Sequence, residues 1–231
     1  MAKQKKWRLV FKVLWTGVLL LCSPAFCGTI VLDDFNRSDS SDMGPNWIEQ
    51  AGDFQIVSGR ASGSAFALMT FVGATSNRVS VDAFPSGTLS YVAIVLGYAD
   101  LDNSLFIKVQ NQDDTRFNYA GFYHGNNVSS GLGSFFSLSS SFDSARMTAS
   151  LVGGTAYLEF DTDFDGIPDQ TYSYSGYSLG SLGTGIGLGS YGWATMDNFA
   201  IESEVVPEPA TATLMIPPLF GLAITLWRRR R

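Results

Sequence analysis

The densest polar constellation in the chain is Asp161-Thr162-Asp163-Phe164-Asp165-Gly166-Ile167-Pro168-Asp169. Carboxylates at alternate positions, with a glycine that permits a tight turn, wrap oxygen ligands around a hard cation such as calcium. Asp161, Asp163 and Asp165 are therefore candidate metal ligands. Four crowded carboxylates repel one another unless something neutralises them. An ion here would be structural, and held more tightly at neutral than at acid pH because its ligands must be deprotonated. The plainer alternative is a solvated acidic turn with no ion.

The spacing follows the calcium loop of helix-loop-helix proteins at loop positions 1, 3, 5 and 6, but position 12, where those loops place a bidentate Glu, is Tyr172. The segment more nearly resembles a thrombospondin type 3 or dockerin-like loop, which implies Asp169 as a further ligand. Only one copy is present, where those families use pairs or arrays. Its flanks, 157–160 and 171–174, read as strands, so the loop should cap a hairpin. The same stretch carries an enzymatic alternative. On a strand Glu159, Asp161 and Asp163 share one face, and Glu159-Phe160-Asp161 resembles the Glu-x-Asp-x-x-Glu strand of laminarinase-like glycosidases. The closing Glu of that pattern is missing, and residues 28–203 hold only Glu49, Glu159 and Glu202. The expectation is a non-enzyme with no catalytic residue; the alternative is a weak or degenerate glycoside hydrolase. His124 is the sole histidine, has no Ser or Cys partner suggested by context, and reads as a surface or loop residue.

The aromatics Phe117, Tyr119, Phe122, Tyr123, Tyr172, Tyr174, Tyr177, Tyr191 and Trp193 supply a second chemistry, a platform for the C–H faces of sugar rings. The competing account makes most of them core and cross-strand pairs. Either use requires strands to position them. Short alternating runs between Gly, Ser, Asn and Asp breaks predict strands at 29–35, 53–57, 65–71, 78–84, 89–98, 104–110, 116–123, 146–152, 156–161, 170–174, 185–190 and 194–202. Stretches 125–133 and 137–141 read as polar loops. No stretch of the body sustains a helical period and no fixed repeat is visible, which favours an all-β, two-sheet antiparallel sandwich over an α/β fold or a solenoid.

The chain has 231 residues and a formal net charge of −6, which is an average over unlike regions. Lys3, Lys5, Lys6, Arg8 and Lys12 open it, and Arg228, Arg229, Arg230 and Arg231 close it. Residues 28–206 keep six basic against twenty acidic side chains, a net of −14. Such a body repels phosphate backbones, so nucleic acid is excluded as a partner. A basic start, the apolar run 13–21 and small residues at Ala25 and Cys27 predict a signal peptide over 1–27, cleaved by signal peptidase. Cleavage there removes both cysteines, so the β-sandwich domain, 28–205, carries neither disulfide nor thiol.

At the other end Pro207-Glu208-Pro209 precedes a largely apolar stretch, 211–227, and the four arginines. As a helix, that stretch would be about 25 Å long, enough for a thin bilayer with snorkelling arginines. The arrangement over 206–231 resembles the PEP-CTERM sorting signal. This resemblance implies a Gram-negative bacterium that makes exopolysaccharide. It also implies an exosortase that releases an inner-membrane-anchored precursor to the cell surface or matrix, with extracellular polysaccharide as the expected partner. Between the ends, Leu32-Asp33-Asp34-Phe35-Asn36-Arg37, Gly44-Pro45-Asn46-Trp47 and the closing 193–201 resemble concanavalin A-like, laminin G-like jelly rolls, which implies first and last strands side by side. That fold hosts both glycan-binding modules and glycosidases, so it does not assign activity.

Overall fold

Arg78-Val79-Ser80-Val81-Asp82-Ala83-Phe84 shows how the pattern becomes sheet: Val79, Val81 and Ala83 are fully buried, while Arg78, Asp82 and Phe84 alternate with them on the other face. The computed structural model describes residues 28–64, 66–112, 114–125, 135–175 and 182–203. The expected signal peptide, the sorting segment and Tyr177 lie outside the described residues.

The strands are β1 (Gly28–Asp33), β2 (Trp47–Ala51), β3 (Phe54–Val57), β4 (Arg60–Gly63), β5 (Ala67–Phe71), β6 (Arg78–Phe84), β7 (Tyr91–Tyr98), β8 (Leu105–Gln110), β9 (Phe117–His124), β10 (Phe135–Phe142), β11 (Ala145–Val152), β12 (Thr155–Asp161), β13 (Gln170–Ser175), β14 (Gly185–Tyr191) and β15 (Thr195–Ser203). They form two sheets. One, of eight strands, runs β13-β12-β11-β6-β15-β4-β3, with β1 also paired to β15; the other, of seven, runs β10-β9-β8-β7-β14-β5-β2. First and last strands are neighbours, as the jelly-roll resemblance implies. The described residues contain no helix. The core lies between the sheets, with Val79, Met147, Leu158 and Phe160 from one meeting Ile94, Ile107, Phe122 and Leu188 from the other.

Asp33 ties the opening motif together. It accepts from Trp47 Nε1 at 2.7 Å, from the Phe35 N–H at 2.8 Å and from both terminal nitrogens of Arg37 at 2.7 and 3.1 Å. Trp47, so tethered, packs on Phe35, Phe71 and Phe199, joining the first strands to the last.

Two expectations fail. Stretch 137–141 is not a loop but the middle of β10. Phe136, Leu138 and Phe142 alternate onto the core, and the intervening serines face outward at a sheet edge. Ser139 Oγ donates to Gln170 Oε1 at 2.7 Å, and Gln170 Nε2 donates to Ser140 Oγ at 3.0 Å, fastening the β10 edge to the β13 edge of the other sheet. Strands β2 and β4 were also not expected: Ile48 and Glu49 of β2 are both exposed on an edge, and β4 has only four residues, three of them buried in succession, so neither alternates.

Candidate functional site

The acidic segment caps the β12–β13 hairpin, where the Asp169 N–H donates to Phe160 O at 2.8 Å. Phe164 and Gly166 both have positive φ, at 61° and 89°, and turn the chain back on itself. Asp161, only 5% exposed, accepts from the Asp165 N–H at 3.2 Å on one oxygen and the Gly166 N–H at 2.9 Å on the other. Asp169 accepts from Thr162 N at 2.8 Å and Thr162 Oγ1 at 2.6 Å, and these bonds hold its carboxyl below the ordinary value. For Asp163 the Asp165 N–H favours the charged form, but desolvation and the carboxylates of Asp165, Asp169 and Asp161 outweigh it and raise its pKa.

One oxygen from each of Asp161, Asp163 and Asp169 lies within 4.8 Å of the others. Calcium binds oxygen at about 2.4 Å, so two ligands of one ion sit at most about 4.8 Å apart, and the three fit a single ion. Asp165 is not in this convergent set; its carboxylate accepts from the Ile167 N–H at 2.8 Å.

The glycosidase triad does not line up along one strand. β12 ends at Asp161, so Asp163 belongs to the loop. Glu159 faces outward from the eight-stranded sheet and pairs with Arg78 Nη2 at 2.6 Å, while Arg78 Nε pairs with Glu202. Burial would lower the Arg78 pKa, but the two glutamates raise it above its ordinary value. Beside them Arg146 pairs with Asp82 at 2.8 Å. His124 is the last residue of β9 and is half-buried.

The aromatics divide sharply. Phe117 and Phe122 are core, and Tyr172 and Tyr174 pack against it. Tyr123, with Tyr91 and Phe106, forms a second cluster on the outer face of the seven-stranded sheet, against which Tyr191 also packs. Among the described ones Trp193 alone is strongly exposed, at 52%. It sits in the β14–β15 turn with φ 66°, next to Gly192 at 68°; two successive positive φ values are usual for Asn-Gly and rare for a bulky ring. Trp193 O accepts from Ser62 Oγ at 3.4 Å, anchoring the turn to β4.

Trp193 lines a cleft of about 320 Å³ with Ser41, Glu49, Asp53, Gln55 and Ser64, within the size range of small-ligand sites. Glu49 accepts from the Phe54 N–H at 2.9 Å through Oε1. Its other oxygen, the Asp53 carboxylate and the Gln55 amide make no side-chain hydrogen bond among the described residues. Sequence reasoning missed these polar partners. They come from β2, β3 and the loops beside them, more than a hundred positions from the tryptophan. The available signal was an aromatic directly after glycine in a short inter-strand turn.

The domain resembles the Ca2+-bound exoplasmic/lumenal domain of VIP36 at TM-score 0.51 and 10% identity, over 78% of this chain and 91% of that one. The fold is that of a lectin-like jelly roll. A β-glucanase of Bacillus licheniformis matches at TM-score 0.46 and 10% identity, over 78% of this chain and 99% of its own. A legume lectin-like domain from Entamoeba histolytica matches at 0.45 and 13%, over 69% and 90%. No protein-family model and no curated protein sequence matches the chain.

Proposed function

We propose that this is an exported, non-enzymatic glycan-binding protein of the cell surface or exopolysaccharide matrix. The observation that carries the reading is Trp193: a 52% exposed indole, held in a left-handed turn, over a cleft with unpartnered carboxylate and amide groups. Non-glycine residues in that backbone region cost about 1–3 kcal/mol, and such strain persists only where the surrounding structure holds it, here with Ser62 bonded to the turn. An exposed indole face stacks on the C–H face of a pyranose, while Glu49, Asp53 and Gln55 accept and donate hydrogen bonds at its hydroxyls. The pairing of Glu159 and Glu202 on Arg78 supports a non-enzyme, because both glutamates already serve an ion pair.

A glycan array with the full-length chain tests this. Binding to at least one polysaccharide is expected, with W193A weakening it at least about tenfold. No binding to any polysaccharide sinks the reading.

The loop 161–169 holds one structural calcium ion through Asp161, Asp163 and Asp169, with Asp165 ordering the turn. The exported location rests on the signal-peptide and PEP-CTERM resemblances, with signal peptidase and exosortase as the processing partners. Truncation before Pro207 is expected to change where the protein is found in fractionated cells. Unchanged localisation removes the sorting part and leaves glycan binding standing.

A further inference from the structure

Lys108 points outward from β8 at the middle of the seven-stranded sheet, yet it is only 5% exposed. Its row across the sheet is Gly189-Ala93-Lys108-Gly121-Phe135, small residues on both sides of one ammonium. Its Nζ lies over three rings, Tyr123 at 4.9 Å, Tyr91 at 5.0 Å and Phe135 at 5.6 Å to their centroids. Among the described residues Lys108 has no carboxylate partner. Burial alone pushes its pKa down, to about 8, with no carboxylate near enough to oppose that.

A buried donor without a partner lies beside it. Tyr91 is 4% exposed, and its buried hydroxyl has no hydrogen-bond partner. Unpaired buried donors are costly, and an unpaired buried charge is costlier. The tyrosine hydroxyl is closed to a ligand, whereas Lys108 Nζ is not among the buried atoms without a partner, and what it lacks beside its rings is a negatively charged acceptor.

The surroundings say what carries it. A Cβ at Gly189 would lie 2.5 Å from the Phe106 ring, and one at Gly121 would lie 2.6 Å from the Tyr123 ring, so both rings lie down across the glycines. Tyr191 stacks on Tyr91 with centroids 5.7 Å apart, and Phe135, 41% exposed, stacks on Tyr119 at 4.8 Å. A bare inorganic anion gains nothing from so much ring surface. A ligand with one carboxylate and an otherwise stackable body matches both parts.

We infer that the outer face of the seven-stranded sheet holds a hexuronate unit of an acidic polysaccharide, its carboxylate accepting from Lys108 Nζ. Phe135, the exposed wall of the cage, is the ring against which the sugar enters. The remaining −14 body disfavours polyanions at long range, so recognition depends on this short-range contact and not on a basic surface. The site shares no residue with the Trp193 cleft and stands or falls without it.

The test is calorimetric titration of the full-length chain with glucuronate and galacturonate trisaccharides, their neutral hexose counterparts, and acetate. At least one uronate trisaccharide is expected to bind at least about tenfold more tightly than its neutral counterpart. K108M should lose that preference, while K108R retains part of it. K108M removes a buried charge, so its melting temperature at neutral pH should equal or exceed the wild type's, which separates lost binding from lost fold. Equal binding of uronate and neutral sugars, or undiminished uronate binding by folded K108M, overturns the inference. Acetate binding as tight as the uronate's removes the sugar from it. If W193A abolishes uronate binding and K108M does not, the acid sits in the tryptophan cleft and this proposal fails while glycan binding survives.

Discussion

At the scale of single residues, Asp33 makes the clearest case of a charge fixed by its neighbours. Burial would raise its pKa, but Arg37, the Trp47 indole N–H and the Phe35 N–H together hold it below the ordinary carboxylate value. A carboxylate with a depressed folded-state pKa stabilises the fold fully above its unfolded value of about 4, and that contribution is lost as pH falls through the folded value. Asp33→Asn keeps the shape and removes the charge. It should cost about 2 kcal/mol at neutral pH, the order of a charge-assisted hydrogen bond. It should also flatten the acid limb of the stability profile. Urea unfolding followed by tryptophan fluorescence, from neutral pH down to about 2, reads both. Parallel acid limbs for wild type and variant would show that Asp33 does not set that dependence. Lys108 is the opposite case, a charge met by rings and by no carboxylate.

At the scale of elements, β14 illustrates how sequence, packing and surface meet. Gly185, Gly187 and Gly189 alternate with Ile186 and Leu188, which enter the core. The glycines let β14 close against its neighbours: a Cβ at Gly187 would lie 2.1 Å from Met69 O and 3.0 Å from Thr70 Cα, both backbone atoms of β5. Gly187→Ala must therefore move one strand from the other and should destabilise by about 3 kcal/mol, the upper end of overpacking costs. Chemical denaturation measures it, and a loss under about 0.5 kcal/mol would mean that the two strands adjust freely. Such alternation is local, so β14, β6 and β8 were legible in the sequence, as was the hairpin under the acidic loop. β10 was not, because Phe135-Phe136-Ser137-Leu138-Ser139-Ser140-Ser141-Phe142 carries turn-like serines whose partners, Gln170 and Tyr172, lie about thirty positions on. The same limit hid the tryptophan cleft. Ser62 and Trp193, which its turn joins, are 131 positions apart. Lys108 read simply as part of a buried strand, because its cage is built by three other strands.

At the scale of the whole molecule, strand order separates the two candidate sites. The acidic loop follows β12, next to one edge of the eight-stranded sheet, and the tryptophan cleft borders β3 at the other edge. Five inter-strand steps lie between β12 and β3, but Trp193 precedes β15, three steps from β12. At about 4.8 Å each those three amount to roughly 14 Å, close to two Debye lengths at physiological salt. The two sites share no residue, and the strands between them are hydrogen-bonded one to the next, with one irregularity between β15 and β6, so little coupling free energy is expected. Calcium chelation should lower the melting temperature, and Asp163→Ala should abolish the calcium-dependent part. Non-specific screening of a −14 body raises stability with any salt, and that part should survive in the variant. Glycan affinity measured at 25 °C, well below melting, should change less than about twofold on chelation, since calcium acts on the fold and not on the ligand. A tenfold loss of affinity in still-folded protein would instead place the ion within the binding apparatus, and the structural role assigned to it would fall.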